Sequence, residues 1–183
     1  MALNKCTSRA WWTRITDHII LGALPLRNRN HHLQLQAEGV VAVVTMNQPY
    51  ELEKTMLGVP VAPGKYLKGR RIEEYFITGD WKALGIDQCF GTTNDFCPPT
   101  LDILIRCVEF TKQHIDQGGT VYIHCKAGRG RSTIVVAAYL MQANRWTVDE
   151  ALDFIQSKRH HISRQRRMLD EFARHLNDSS NRA

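Results

Sequence analysis

The chain has 183 residues, 43% of them hydrophobic and 23% charged, enough apolar content for one core and too much for a disordered polymer. Lysine and arginine number 24 against 18 acidic residues, a formal net charge of +6 that favours anionic partners without choosing among phosphate esters, nucleic acid and an anionic membrane. Five cysteines, at 6, 89, 97, 107 and 125, include no Cys-x-x-Cys pair, which argues against a disulfide framework and a zinc site and for a reducing compartment.

Read from the N-terminus, the first acid is Asp17. The preceding stretch holds Lys5, Arg9, Arg14, several hydroxyl residues and the pair Trp11-Trp12, a composition shared by transit peptides and by ordinary N-terminal arms, so residues 1–11 are set apart as an arm or short targeting segment. The two tryptophans suit either a bilayer interface or burial against the core, and burial is the preferred reading. "HIILGAL" (18–24) reads as a strand, "HHLQLQAEG" (31–39) as a short helix stopped by Gly39, and "VVAVVTM" (40–46) as a strand buried on both faces. Residues 47–85 give no clear pattern; "GVPVAPGKYLKGRR" (58–71) has the prolines, glycines and basic residues of a surface loop.

"IDQCFG" (86–91) predicts a strand. "PPTLDILIRCVEFTKQHIDQGG" (98–119) predicts a helix bounded by Pro and Gly-Gly, with Leu101, Leu104, Ile105, Val108 and Ile115 near one face. "TVYIHC" (120–125) is a strand, about 131–143 a buried helix, and 148–159 a helix opened by a Thr147/Glu150 capping box. Ser163 is expected to cap a last helix ending near 176, with 177–183 as a flexible tail. Strands alternating with helices predict an α/β domain over 12–176, a mostly parallel sheet flanked by helices. The longest apolar runs cover about half a bilayer, so no transmembrane helix is expected.

The chemistry concentrates at "HCKAGRGRS" (124–132). A strand delivers Cys125 to its C-terminal edge, and a helix begins within seven residues. Gly128 and Gly130 let the backbone curl, so that the N–H groups of Lys126, Ala127, Gly128, Arg129 and Gly130 form an anion nest at a helix N-terminus. Arg131 closes the ring with a planar guanidinium suited to phosphate. Cations and a helix N-terminus lower a thiol's pKa, so Cys125 is expected to be a thiolate facing the bound phosphate. The Ser132 hydroxyl is placed to donate to the sulfur, and His124 is expected to order the loop through backbone hydrogen bonds. Cys89, Cys107 and Cys6 lack such a setting and read as structural.

These nine residues match the HCxxGxxRS signature, and from about Trp12 to Leu176 the chain resembles the cysteine-dependent protein tyrosine and dual-specificity phosphatases. The resemblance implies their fold, a strand–phosphate loop–helix active site and a cysteinyl-phosphate mechanism with neither metal nor cofactor. It also implies a carboxylic acid upstream, after a strand and before a helix. Asp95, in "FGTTNDFCPPT" (90–100), fits that place; Asp80 and Asp87 are alternatives, and Asp102 reads as a first-turn helix acid.

"ITDHIILGALPLR" (15–27), "VVTMNQPYE" (43–51) and "WKALGI" (81–86) further resemble the mitochondrial branch that dephosphorylates phosphatidylglycerophosphate on the way to cardiolipin. That branch carries an acidic "EEYE" stretch. Here it is "QPYE" (48–51): the first acidic position is lost, Pro49 is new, and Glu51 alone remains to keep any shared role. The resemblance implies a phosphorylated anionic lipid as substrate, peripheral attachment to an anionic membrane, and residence on the matrix face of the mitochondrial inner membrane, with a cytoplasmic location as the alternative. Two basic clusters fit a lipid surface: Lys65, Lys68, Arg70 and Arg71, and Lys158, Arg159, Arg164, Arg166 and Arg167. His31-His32 and His160-His161 are read as surface pairs and not as metal ligands. The alternatives are a phosphoprotein phosphatase, an RNA 5′-phosphatase, and a catalytically inactive phosphate-binding module; a nucleic-acid partner is the less favoured.

Overall fold

The structure is a computed structural model that describes residues 10–52, 66–67, 70–71 and 78–180. Its centre is a five-stranded sheet. β1 (Trp12–Thr16) and β2 (Ile19–Gly22) form an antiparallel hairpin at one edge. β2 pairs in parallel with β7 (Thr120–His124), β7 with β3 (Val40–Thr45), and β3 with β6 (Asp87–Phe90). Between β3 and β6, β4 (Tyr66–Leu67) and β5 (Arg70–Arg71) make a separate two-stranded ladder. The mostly parallel sheet is the one expected from the sequence. The hairpin strand β1 was not, because "WTRIT" is short and alternates weakly.

Strand alternation sorts the core into two layers. Ile19, Leu21, Ala42, Val44, Val121 and Ile123 face a layer of four helices: α4 (Leu101–Asp116), α5 (Arg131–Asn144), α6 (Val148–Lys158) and α7 (Arg167–Ser180). Ile20, Val43 and Tyr122 face the other side with Leu35 of α1 (His31–Ala37) and Trp81 of α3 (Thr78–Ala83). α5 lies centrally and buries ten residues, which is why its sequence shows little amphipathic contrast. The Thr147/Glu150 capping box is present, and Thr100 caps α4, which starts at Leu101, three residues after the expected boundary at Pro98.

Several local expectations are corrected. β3 is not buried throughout: the β3–β7 register shifts between Val40 and Ala42, and Val41 is left exposed. Ser163 caps no helix, since α7 starts at Arg167 and continues to Ser180. His31 is not a surface residue. It is buried, its Nδ1 accepts the Leu26 N–H, and its ring packs against Trp11 and Trp12. Those tryptophans are half-buried, donating to Leu24 O and Glu38 Oε1 respectively, so they serve the core. The short helix α2 (Pro49–Leu52) was unforeseen. Most of the 58–71 segment lies outside the described residues, as does Cys6.

The C-terminal ends of β2, β3 and β7 meet at one edge, where Gly22 is essential. A Cβ there would sit 2.3 Å from the Tyr122 hydroxyl oxygen and 2.7 Å from Trp12 Cβ. Gly22→Ala is expected to destabilise the fold by about 1–3 kcal/mol through overpacking, measured as a lower urea midpoint at unchanged m-value.

Candidate active site

β7 ends at His124, and Cys125 stands at the floor of a cleft of about 400 Å³. Lys126, Ala127, Arg129, Gly130 and Arg131 form one wall, and Asp95 and Phe96 form another. The loop's shape follows from where its carbonyls go. Lys126 O accepts from Leu24 N at 3.3 Å, Gly128 O from Arg159 Nε at 3.0 Å, and Arg129 O from Ser163 N at 2.7 Å and Thr133 Oγ1 at 2.8 Å. Peptide planes that turn C=O outward turn the next N–H inward. Gly128 sits at φ +63°, and a Cβ on it would lie 2.4 Å from the Gly22 carbonyl carbon, so only glycine fits this back-to-back crossing.

The electrostatics favour a thiolate. Burial of Cys125 pushes its pKa up, but four contributions outweigh it: the Ser132 hydroxyl at 3.2 Å, the Ser132 backbone N–H, the Arg131 charge and the Arg129 backbone N–H. The net shift is below an ordinary thiol. His124 is driven down to about 3, first by burial and then by Arg131 against a raising contact with the Cys125 backbone, so it stays neutral near pH 7. Its Nε2 pairs with Thr45 Oγ1 at 3.0 Å; the expectation of backbone contacts missed this partner on β3.

Arg131 is only 2% exposed in its side chain. Glu51 holds it bidentately, Nη1 to Oε2 at 2.6 Å and Nη2 to Oε1 at 2.9 Å, and Nη1 also donates to Thr93 O and Met46 O. For Glu51, burial raises the pKa, but the hydrogen bonds from Arg131 and the Gln48 N–H and the charges of Arg131 and Lys126 bring it below the usual carboxylate value. Asp95 Oδ1 accepts from Arg131 Nη2 at 2.9 Å, and Asp95 Oδ2 lies 3.7 Å from Lys126 Nζ. Of the four acids weighed in the sequence, Asp95 lines the cleft. Asp87 pairs with His114 at 3.0 Å on β6, Asp102 lies in the first turn of α4, and the side chain of Asp80 lies outside the described residues.

The structure brings together Cys125, Arg131, Ser132, His124, Asp95 and the loop residues, and adds supports that sequence reasoning missed. Glu51 carried a signal as the surviving acid of "QPYE". Arg159 carried none: assigned to a basic surface cluster, it is instead 4% exposed beneath the loop, with Nη1 on Ala10 O and Thr13 Oγ1. Two other members of that cluster stay on the surface but are paired. Arg164 bonds Asp153 and Asp149, and Arg166 pairs with Asp149 and Asp170, so these charges are neutralised locally. Cys107 is buried, and its contact with Cys89, followed by burial, pushes its thiol up.

Two outcomes follow from this geometry. Glu51→Gln leaves a buried guanidinium short of its countercharge, and is expected to cost about 3 kcal/mol of stability and roughly 10²-fold in kcat/KM, by denaturant titration and aryl phosphate kinetics. Ser132→Ala removes a donor to the sulfur, so the thiol pKa rises. Since thiolate is lost as pH falls through that pKa, the acid limb of kcat/KM should move to higher pH, and iodoacetate labelling of Cys125 at pH 6 should slow.

The geometry agrees with what the chain is similar to. Residues 89–178 match the family model described as dual specificity phosphatase, catalytic domain. The phosphatidylglycerophosphatase and protein-tyrosine phosphatase 1 of Rattus norvegicus is 38% identical over 172 residues, covering 92% of this chain and 79% of that protein. The Homo sapiens protein of the same name is 39% identical over 155 residues, covering 84% and 67%. A crystal structure of PTPMT1 in complex with PI(5)P superposes with a TM-score of 0.76 at 34% identity, covering 93% of this chain and 99% of that one. The chain belongs to the phosphatidylglycerophosphatase and protein-tyrosine phosphatase family, within the cysteine-dependent phosphatases of dual-specificity type.

Proposed function

We propose that this phosphatase hydrolyses the phosphate monoester of phosphatidylglycerophosphate to give phosphatidylglycerol, with Cys125 as nucleophile and Asp95 as proton carrier. The chemistry rests on one observation: a cysteine at the centre of a loop whose carbonyls face outward, with the Ser132 hydroxyl on its sulfur and a buried arginine beside it. The choice of lipid is supported by the activity named for the rat and human relatives.

Glu51 occupies the Nη1–Nη2 edge of Arg131, so the phosphate takes the Nε–Nη2 edge as Asp95 moves off Nη2. The Cys125 thiolate attacks phosphorus and the P–O bond to the glycerol oxygen breaks. Asp95, protonated for this step, gives its proton to that oxygen. Loop N–H groups and Arg131 hold the charge spread over the equatorial oxygens. Water then attacks the cysteinyl phosphate, the Asp95 carboxylate takes its proton, and the S–P bond breaks. The Ser132 hydroxyl, 3.2 Å from sulfur, supports the departing thiolate.

Peripheral attachment to the membrane is part of this reading; no helix among the described residues is long and apolar enough to cross a bilayer. With Arg159 buried and Arg164 and Arg166 paired with carboxylates, attraction to an anionic leaflet falls to exposed cations such as Lys126 and Arg129 at the cleft and Lys158 and Arg167 at the ends of α6 and α7, and to Lys65 and Lys68, which lie outside the described residues. The acid-free N-terminus supports a mitochondrial location, on a membrane face that carries this lipid.

Phosphatidylglycerophosphate in mixed micelles, phosphoinositides and a phosphotyrosine peptide should be compared as substrates, with Cys125→Ser as the blank. A preference for the peptide would overturn the lipid reading in favour of a protein phosphatase. Asp95→Asn should lower turnover of the lipid by roughly 10²–10⁴ and affect aryl phosphates with acidic phenols far less; equal losses would exclude Asp95 as the acid.

A further inference from the structure

Phe96 is 88% exposed, far more than any other large apolar side chain among the described residues. Its φ is +63°, in the left-handed region that suits glycine or asparagine and that a bulky aromatic residue rarely occupies. Burial does not explain the ring. It follows Asp95 directly, and the Asp95 carboxylate accepts the Phe96 N–H at 3.1 Å as well as Arg131 Nη2, so the turn holds the carboxylate inward and the ring outward. Phe96 lines the cleft together with Lys126 and Arg129, both exposed. An exposed aromatic ring beside two cations, at the opening through which the phosphate must pass, matches a surface that is apolar below and anionic above.

We infer that Phe96 is a membrane-docking residue: it enters the interfacial zone of an anionic bilayer while Lys126 and Arg129 meet the lipid phosphates, setting the cleft directly over a headgroup still anchored in its leaflet. This rests on the lipid-phosphate reading of the site. A cleft of about 400 Å³ takes the headgroup and leaves the acyl chains at the mouth, beside the ring. Because Phe96 is tied through its own N–H to Asp95, seating the ring also restrains the turn that carries the proposed acid.

The full-length chain, Phe96→Asn and Phe96→Trp are compared by co-sedimentation with vesicles of phosphatidylcholine containing phosphatidylglycerol, at low and high salt. Asparagine suits the left-handed backbone, so the melting temperature of Phe96→Asn should hold or rise. Its vesicle affinity should fall roughly tenfold, and the salt-resistant part of binding should vanish. Phe96→Trp should bind as well as or better than the parent, and bromine-labelled acyl chains should quench its emission beyond that of the native tryptophans. Parental binding by Phe96→Asn overturns the inference, as does a loss confined to a phosphotyrosine peptide, which would make the ring a contact for an aryl group. Absence of extra quenching in Phe96→Trp overturns it even if Phe96→Asn fails to fold. Hydrolysis of phosphatidylglycerophosphate in detergent micelles is followed alongside. If the parent chain lacks it, the substrate reading fails; if it is present and the Phe96 results are negative, docking alone fails.

Discussion

A guanidinium buried to 2% exposure is the constraint around which the rest is arranged. The charge of Arg131 must be met by hydrogen bonds within its own plane, because so small an exposure leaves solvent little part in it. Glu51 supplies the countercharge, Thr93 and Met46 supply carbonyls, and Asp95 takes the outer nitrogen. These partners come from α2, from the loop after β6 and from the end of β3, so one side chain draws three separated stretches of chain into a single wall. The same charge lowers the Cys125 pKa, and the sulfur in turn favours the charged arginine.

The loop from Cys125 to Arg131 depends on elements outside itself. Its N–H groups converge because its carbonyls are engaged elsewhere, by Leu24 after β2, Arg159 after α6, and Ser163 and Thr133. Where Gly128 crosses the Gly22 carbonyl no side chain fits on Gly128, and Tyr122 and Trp12 leave none for Gly22. Preorganisation here is a matter of donors fixed before substrate arrives, the arrangement that gives an electrostatic site its advantage over water.

The excess of positive charge is divided by the fold. Arg131 and Arg159 are buried and committed to the site and its support. Arg164 and Arg166 are matched by Asp149, Asp153 and Asp170 on neighbouring helices. Among the loop cations, Lys126 and Arg129 stay exposed at the cleft. A formal charge of +6 is therefore a poor guide to how strongly any one face attracts an anionic surface. Position, and the carboxylates within reach, decide it.

The sequence by itself determined the sheet's parallel centre, the strand–loop–helix at 120–144 and the gathering of Cys125, Arg131 and Ser132 around one loop, because these are local: a strand end, two glycines and a helix start lie within a few residues, and their spacing is their geometry. Asp95 was legible by its place between a strand and a helix. Only the tertiary structure decided what holds them. Glu51 lies 80 residues from Arg131, Arg159 lies 31 from the carbonyl it anchors, and Thr45 lies 79 from His124. In sequence, a buried arginine beneath a loop and a solvated arginine in a basic run are the same letter. Burial and partnership are properties of the fold, and they separated Arg159 from Arg164, turned Ser163 from a helix cap into a tether of the loop, and left Phe96 facing outward from a backbone conformation that the letter F does not announce.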